Sequence, residues 1–486
     1  MNSPQIVSIR PPKIEEVVSA PNPYLEILQK QKDAFIERGI PSVQQRIDTL
    51  NTMGKMFSDN SDDIIAAVQA DFGHRSSVET VASEVLGVLS EIRATKGKIK
   101  KWAKPLKPKG GLPGGRMFFQ PKGVIGIMGA WNYPVQLVIS PLIGVLAAGN
   151  HAMIKPPDVT PRTSDILQSL FAKHFDADYI TVITGEVETA VQFSELPFDH
   201  MVYTGNTEIG RRVMMAAAKN LTPVTLELGG KSPVIIDDSF PVAKAIKRLI
   251  PGKSMNAGQT CIAPDYVLIN KDRVAEFVKD FERLATKRYP TLVDNENITW
   301  IVNERHHKRL LDIIEDARAK GAEIHQVNPQ HESIPEGSRM IPLTVITNVS
   351  DDMRCMQEEI FGPVLPVKGV NSTEEALNYL KGRPRPLALY YFDSNRKRSE
   401  EVMRTTISGG ACVNDAMLHI ANMNMPFGGS GESGLGHYHG YDGFLEFSHK
   451  KSIQFSSPRF SPSSFMAGPY PKRTYGFLKR VVKFLG

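Results

Sequence analysis

The spacing of apolar side chains divides the chain into a helical start and a long alternation of short apolar runs with helical stripes. From Tyr24 to about Trp102, apolar positions such as Leu25, Leu28 and Phe35, then Ile64, Ile65 and Val68, recur with helical period. Val124 to Met128 reads as a buried strand after Gly123, and Ala152 to Lys155 as the next, stopped by Pro156-Pro157. Pro134 can open the helix between them, and Gly149 suits its end. The pattern repeats with a helix near Ile166 to His174, strands at Ile180 to Ile183 and Met201 to Tyr203, and a helix after Gly210. Strands alternating with helices predict a parallel, doubly wound sheet.

A second set follows Glu227. Val234 to Ile236 and Tyr266 to Ile269 are predicted strands, while Phe277, Val278, Phe281 and Leu284 form a helical stripe. Leu310, Ile313, Ile314 and Ala317 form another, closed by Gly321. This predicts a second α/β domain. Phe444 to Phe455 is read as a strand that leaves its domain and pairs elsewhere. The Ser- and Pro-rich stretch from Phe455 to Pro471 is read as irregular. A lysine-rich segment from Lys96 to Lys109, read as a solvated helix end, runs into a Pro/Gly connection from Pro105 to Gly115.

Composition narrows the class. At 486 residues the chain exceeds one ordinary core, so two or three domains are expected. It is 41% hydrophobic and 23% charged, with no apolar run long enough to span a bilayer. Met1 to Pro23 lacks an apolar signal core and reads as a floppy arm. Three cysteines make no disulfide framework, which points to a reducing, cytoplasmic setting. Part of the net charge of +6 sits in the tail, where Lys472, Arg473, Lys479, Arg480 and Lys483 occur without an acid. No nucleic-acid recognition motif accompanies it, so no nucleic-acid partner is expected.

The candidate chemistry centres on Leu226-Glu227-Leu228-Gly229-Gly230-Lys231 and Asn256-Ala257-Gly258-Gln259-Thr260-Cys261. Cys261 follows Glu227 by 34 residues, room for a strand, a helix and a turn back. A thiol can attack a carbonyl, and a carboxylate can activate the water that later releases the product. Alone, the pair is usually an inert cysteine beside a structural glutamate. Asn132, in a turn after a strand, can donate to an oxyanion or be an ordinary turn asparagine. The dinucleotide fingerprint G-x-G-x-x-G is not convincingly present. Tyr203-Thr204-Gly205-Asn206, a strand running into a helix, can instead meet a phosphate, and Lys155 sits at a strand's end, where α/β sheets bind ligands.

At this point the sequence resembles the aldehyde dehydrogenase superfamily from about Tyr24 to Phe455. The motifs, in family order, are Trp131-Asn132-Tyr133-Pro134, Gly149-Asn150 with Lys155-Pro156, Thr204-Gly205-Asn206-Thr207, Leu226 to Lys231, Gly258-Gln259-Thr260-Cys261, Glu358-Glu359-Ile360-Phe361-Gly362-Pro363 and Pro426-Phe427-Gly428-Gly429. Within the superfamily it looks like the class 3 branch, through Tyr133, Val413-Asn414-Asp415, Ser433 to Gly436 with Tyr438-His439-Gly440, and Phe447-Ser448-His449. Ala263-Pro264-Asp265-Tyr266 and Arg383 to Tyr391 resemble coniferyl aldehyde dehydrogenases.

The resemblance implies two doubly wound α/β domains, one a Rossmann-like cofactor domain and one catalytic, plus a small β bridging element. The expected divisions are an arm at 1–23, a NAD(P)-binding domain at 24–226 with 105–120 lent to the bridge, and a catalytic domain at 227–415. A return and bridging segment at 416–455 and a basic amphipathic tail at 456–486 complete the chain. Cys261 would be the nucleophile, Glu227 the general base, and Asn132 with the Cys261 backbone N–H the oxyanion holder. Trp131, Lys155, Asp158, Thr204, Gly205, Asn206, Ile209, Leu228, Glu359 and Phe361 would surround the cofactor. Lys155 would serve the adenosine ribose, Gly205 and Asn206 the pyrophosphate, and Glu359 and Phe361 the nicotinamide side. Asp158 stands where the family often has Glu, which leaves room for a 2′-phosphate and keeps both NAD and NADP open. Asn206 stands where Ser is common. The expected reaction oxidises an aromatic, coniferyl-type, or medium-to-long apolar aldehyde to the acid through a thioester, in a homodimer. A coenzyme A-acylating relative is the alternative, which needs no hydrolytic base, and a non-catalytic binding protein on the same fold is another.

Other features read more plainly. Cys355 and Cys412 are expected to be buried thiols. His306-His307 and His437-Tyr438-His439 lack the carboxylate or Cys of a ligand set, so no metal is expected. Met417, Met423 and Met425 line an adaptable pocket or fill core, and Tyr133 faces the substrate or simply packs. In the tail, Leu478, Val481, Val482 and Leu485 have helical spacing with Lys479, Arg480 and Lys483 between. Such a helix can lie on an anionic membrane; the expectation is that it docks on its own protein or caps a substrate entrance.

Overall fold

A computed structural model describes residues 22–110, 112–459, 463 and 467–486. The expected arm therefore lies outside the described residues except for its last two positions, as do Gly111 and most of 460–466. The helical start is present as Leu25–Arg38, Val43–Asp59, Ser61–Phe72 and Gly87–Trp102. The second of these begins in a reciprocal cap between Ser42 and Gln45, which satisfies two otherwise orphaned N–H groups. Its stripe of Leu50, Met53, Met56 and Phe57 is buried.

The strands in chain order are β1 (Gly115–Pro121), β2 (Val124–Met128), β3 (His151–Lys155), β4 (Ile180–Val182), β5 (His200–Thr204), β6 (Val224–Glu227), β7 (Pro233–Ile236) and β8 (Tyr266–Asn270). They continue with β9 (Glu323–Gln326), β10 (Thr344–Thr347), β11 (Val364–Val370), β12 (Ala388–Phe392), β13 (Gly410–Val413), β14 (Gly434–Leu435) and β15 (Ser448–Gln454). One sheet has the order β14-β6-β5-β2-β3-β4, a second β13-β12-β7-β8-β11-β10-β9, and β1 pairs with β15. Apolar runs sit on both faces of each large sheet. In β2, Ile125 and Ile127 enter one core and Val124 and Met128 another. In β8, Val267 and Ile269 face one side, Tyr266 and Leu268 the other. Burial on both faces is why these strands read as continuous apolar runs rather than alternation.

Four expectations need correction. The sheets are not wholly parallel: β14 runs antiparallel to β6, and β9 antiparallel to β10. The helix placed after Gly210 begins at Thr207, because the Asn206 side chain accepts from Ile209 N and caps it there. Phe444 to Phe447 is not strand. A helix spans Gly440–Glu446, and Phe444 and Phe447, one helical turn apart, are both buried, with the Phe444 ring against Trp102 and Phe119. The strand that pairs elsewhere starts at Ser448 and runs antiparallel along β1, Gly115 opposite Gln454. The tail helix spans Thr474–Leu485 and has no buried residue, so the expected docking on its own protein does not occur among the described residues.

No described helix is long and apolar enough to cross a membrane. Where the Gly87–Trp102 helix meets the Gln136–Ala148 helix, Glu91 accepts a 2.5 Å hydrogen bond from Ser140 Oγ, and burial raises its carboxyl to about 8. The folded chain thus holds a proton that the unfolded chain releases near 4.5. Stability from this group is fully present below that value and declines as pH rises towards 8, at most by about 1.4 kcal/mol per pH unit. Glu91→Gln is expected to remove that slope. Thermal melts of both proteins between about pH 5 and 8 should diverge steadily; parallel curves would show that Glu91 ionises freely in the fold.

Candidate active site

The register of the six-stranded sheet brings the predicted residues to one edge. Met128 pairs with Lys155 on one side and Tyr203 on the other, and Thr204 pairs with Glu227. All four strands therefore end together, and ligands of such sheets bind outside their carboxyl ends. Lys155 is buried there; burial lowers its ammonium pKa, opposed by the nearby Asp158, which is itself exposed. Thr204 lies against Tyr438. Gly205 donates its N–H to Glu227 O at 3.0 Å, and a Cβ there would sit 2.1 Å from the Tyr203 hydroxyl. Asn206 caps the next helix, Ile209 is partly exposed on its first turn, and Gly210 packs under the buried Leu228.

Glu227 ends β6 and is held from both sides. Gly205 N meets its carbonyl, and Gly434 of β14 lies opposite it. Gly434 has φ 151°, and a Cβ would come 2.3 Å from Leu226 O, so only glycine lets this return strand approach. The Glu227 side chain is buried, and neither carboxylate oxygen has a hydrogen-bond partner among the described residues. Burial, then the charge of Glu446, raise its pKa well above the usual carboxylate range.

Cys261 follows an unusual turn. Asn256, Ala257 and Gly258 all have left-handed φ, at 51°, 52° and 68°. For Asn and Ala such geometry costs about 1 kcal/mol or more each and persists only where surroundings enforce it. The enforcement is visible. Glu79 accepts from Asn256 N at 2.9 Å, and the buried Gln259 donates to Asn256 O and Trp300 O and accepts from Val302 N. Behind the loop, Lys253 donates to Pro264 O at 2.8 Å. The Cys261 thiol is half-buried. Burial and the carboxylates of Glu359 and Glu227 push it up to about 12. It is thus a protonated thiol that needs a base, in the electrostatic reach of Glu227.

Asn132 donates its side-chain amide to Gln259 O at 3.1 Å, which ties it to the cysteine loop. Its own carbonyl accepts from Asn256 Nδ2 and from Arg75 Nη1 at 3.1 Å. Tyr133 shares a 2.8 Å hydrogen bond with Thr260 Oγ1, beside the thiol in sequence. Trp131 packs edge-on against Phe361, 5.3 Å between centroids. The Glu359–Phe361 segment is anchored by Arg309, which donates to Glu359 O and Ile360 O, and by Lys231, which bridges Asp265, Cys355 O and Glu358 O. The Glu359 carboxyl folds over Gly229, where a Cβ would lie 2.2 Å from Oε2, and burial raises it to about 8. Met417 joins Cys261 at the rim of the second core, and the buried Phe427 lies within that core.

Several residues here escaped the sequence reading. Arg75 and Glu84 form a fully buried ion pair at 3.1 Å, and Glu84 also accepts from Val135 N and Gln136 N at 3.0 and 2.9 Å. A π-helical turn, Val81–Leu86, aims Glu84 there. Arg75 further stacks over Phe72 and Tyr133. The sequence around them gave no signal, since Arg75 stands among Gly73, His74, Ser76 and Ser77, and Glu84 shares its stretch with Glu79, Thr80 and Ser83. Tyr438, quoted for its motif alone, is buried, and burial, then the charges of Glu227 and Cys261, raise its hydroxyl pKa. Cys355 and Cys412 are buried as expected, with Cys412 Sγ 3.3 Å from His419 Nδ1. His306 packs on Trp131.

Comparison with known proteins identifies the family and the fold. The model of the "Aldehyde dehydrogenase family" matches residues 23–453. A probable coniferyl aldehyde dehydrogenase of Pseudomonas aeruginosa is 45% identical over 450 residues, 92% of this chain and 93% of that protein. A coniferyl aldehyde dehydrogenase of a Pseudomonas strain is 41% identical, with 93% and 94% covered. Among solved structures, the substrate-bound state of Staphylococcus aureus AldH superposes with a TM-score of 0.87 at 34% identity, covering 95% of this chain and 99% of that one.

The buried pair yields a stability test. Arg75→Met leaves Glu84 charged or protonated without its partner and is expected to cost about 3–5 kcal/mol. Adding Glu84→Gln, which keeps an acceptor for Val135 N and Gln136 N, should recover part of that loss. Urea unfolding of the two single variants and the double checks it; strictly additive losses would show that the two side chains do not act as a pair.

Proposed function

The chain belongs to the aldehyde dehydrogenase family and is an NAD(P)-dependent enzyme that oxidises an aldehyde, and from that premise we propose that it converts coniferyl-type aromatic aldehydes to their acids through a Cys261 thioester hydrolysed by Glu227. The observation that carries the mechanism is the buried Glu227 carboxylate, with no hydrogen-bond partner among the described residues, in electrostatic reach of a thiol raised to about 12. A carboxylate whose own proton affinity is raised takes a proton readily. Glu227 removes the thiol proton as Sγ bonds to the aldehyde carbon. The aldehyde oxygen gains the negative charge and is met by Asn132 and the Cys261 backbone N–H. An amide has two N–H donors, so Asn132 can keep Gln259 O and still serve the oxygen. NAD(P), when bound, accepts the hydride from the former aldehyde carbon. Once that first proton has passed from Glu227 to solvent, Glu227 takes a proton from water, the water oxygen attacks the thioester carbon, and the C–S bond breaks to release the acid, the proton on Glu227 returning to the departing thiolate.

The residues at the strand ends fit a dinucleotide. Lys155 is a buried cation at the end of β3, suited to ribose hydroxyls, with Asp158 nearby. The Gly205 turn and the helix N-terminus at Thr207 offer N–H groups to a pyrophosphate. Glu359 and Phe361, anchored by Lys231 and Arg309, would hold the nicotinamide side, with Trp131, Thr204, Ile209 and Leu228 around. The exposed, shorter Asp158 supports acceptance of both NAD and NADP. The aromatic reading of the substrate rests on the coniferyl relatives and on Tyr133, Phe427, Tyr438 and Met417 near the thiol. The two-stranded ribbon of β1 and β15 stands apart from both large sheets. Two strands alone are marginal, which supports a homodimer that completes it.

Glu227→Gln, which removes the base from both steps, is expected to slow the burst of reduced nicotinamide as well as the steady turnover, by about 10²–10⁴-fold. Cys261→Ser should give no burst. A Glu227→Gln steady state as fast as the parent would overturn the base assignment. Release by coenzyme A but not by water in the parent would mean an acylating enzyme. For substrate, cinnamyl-type aldehydes should exceed long alkyl aldehydes in kcat/KM by about tenfold, the scale of modest pocket discrimination; the reverse ranking would move the assignment to the apolar class.

A further inference from the structure

The tail helix Thr474–Leu485 divides cleanly around its axis. At 100° per residue, Tyr475, Phe477, Leu478, Val482, Phe484 and Leu485 fall on one half, with Val481 among them. Lys479, Arg480 and Lys483 fall on the other, and Lys472 and Arg473 just before the helix extend the basic side. From 471 to 486 there is no acid. Every one of those six apolar side chains is exposed, from 52% at Leu478 to 88% at Phe484. Lys479 reaches over the Tyr475 ring, 5.1 Å to its centroid, at the boundary of the halves.

An apolar stripe this exposed is not stable in water and marks a face that something covers. The described body of the protein does not cover it, since the helix has no buried residue. A second copy would bring five cations against five, with no acid on either helix to offset them. A helix of 12 residues is about 18 Å long, too short to cross a hydrocarbon layer of about 30 Å. What satisfies both halves is a boundary with apolar material on one side and negative charge at its rim. We propose that residues 472–485 are a docking helix for an anionic lipid surface, lying in the plane of the headgroups with Phe477, Leu478, Phe484 and Leu485 inserted and the lysines and arginines paired with lipid phosphates and carboxylates. This goes beyond the chemistry of the active site and does not depend on which aldehyde is oxidised.

The test is flotation of the full-length protein with vesicles of phosphatidylcholine alone and of phosphatidylcholine with phosphatidylserine, read by protein and not by activity. Binding is expected to the anionic vesicles only and to weaken with salt. Lys479→Gln, Arg480→Gln and Lys483→Gln together should lower the partition constant about a hundredfold, at roughly fivefold per charge, with aldehyde oxidation in solution unchanged. As an independent readout, Phe484→Trp should give a blue-shifted difference fluorescence with anionic vesicles. Flotation of a chain ending at Pro471 equal to that of the full chain would overturn the proposal. So would absence of binding to either vesicle, an unshifted difference spectrum of the Phe484→Trp variant, or a dimer on gel filtration that the Pro471 truncation alone converts to monomer.

Discussion

The constraint on which the site depends is a carboxyl group kept out of water with no hydrogen-bond partner among the described residues. Burying such a group is unfavourable, and a fold tolerates it only where the surrounding backbone leaves no alternative. Here the end of β6 is fixed by Gly205 on one side and by the β14 return strand on the other, with Gly434 allowing contact that no side chain would permit. Glu227 cannot withdraw to the surface without breaking that pairing. Its raised proton affinity follows from the same confinement. Stability is sacrificed locally for chemical readiness, a pattern common to titratable groups at functional sites.

The thiol loop shows the same logic in the backbone. Three consecutive left-handed residues lead into Cys261, and the atoms that hold them come from distant parts of the chain: Glu79, Asn132, Trp300 and Val302. Arg75 and Glu84 brace the other half of this arrangement by gripping the carbonyl of Asn132 and the N–H groups that open the next helix. Nucleophile, oxyanion donor and helix start thus form one polar network inside an apolar shell. Such a network specifies geometry only when its members are satisfied together.

This division explains what could be read from the sequence. Strand β2 was legible residue for residue, because burial on both sheet faces writes an apolar run bounded by Gly123 and Gly129. Glu227, Cys261, Asn132 and Lys155 were legible because their chemistry and their motifs coincide. Arg75, Glu84 and the coupling of Tyr438 to the thiol were not. Their partners lie in other segments, and a lone charged residue looks the same whether it is solvated or paired inside. The strand read from Phe444 failed for a related reason. Phe444 and Phe447 fit a helical turn as well as a strand, and the aromatic cluster with Trp102 and Phe119 decided the matter.

The tail reverses the usual relation between sequence and structure. Its amphipathic spacing was plain in the chain, but the expectation that it folds back was not met, since no described side chain covers its apolar half. A core helix gains its stability by burying that half against the protein. Among the described residues, none neutralises the basic half and none covers the apolar half. The two deficits have one remedy, because an anionic lipid boundary meets charge and apolar surface at the spacing that separates the two sides of a single helix.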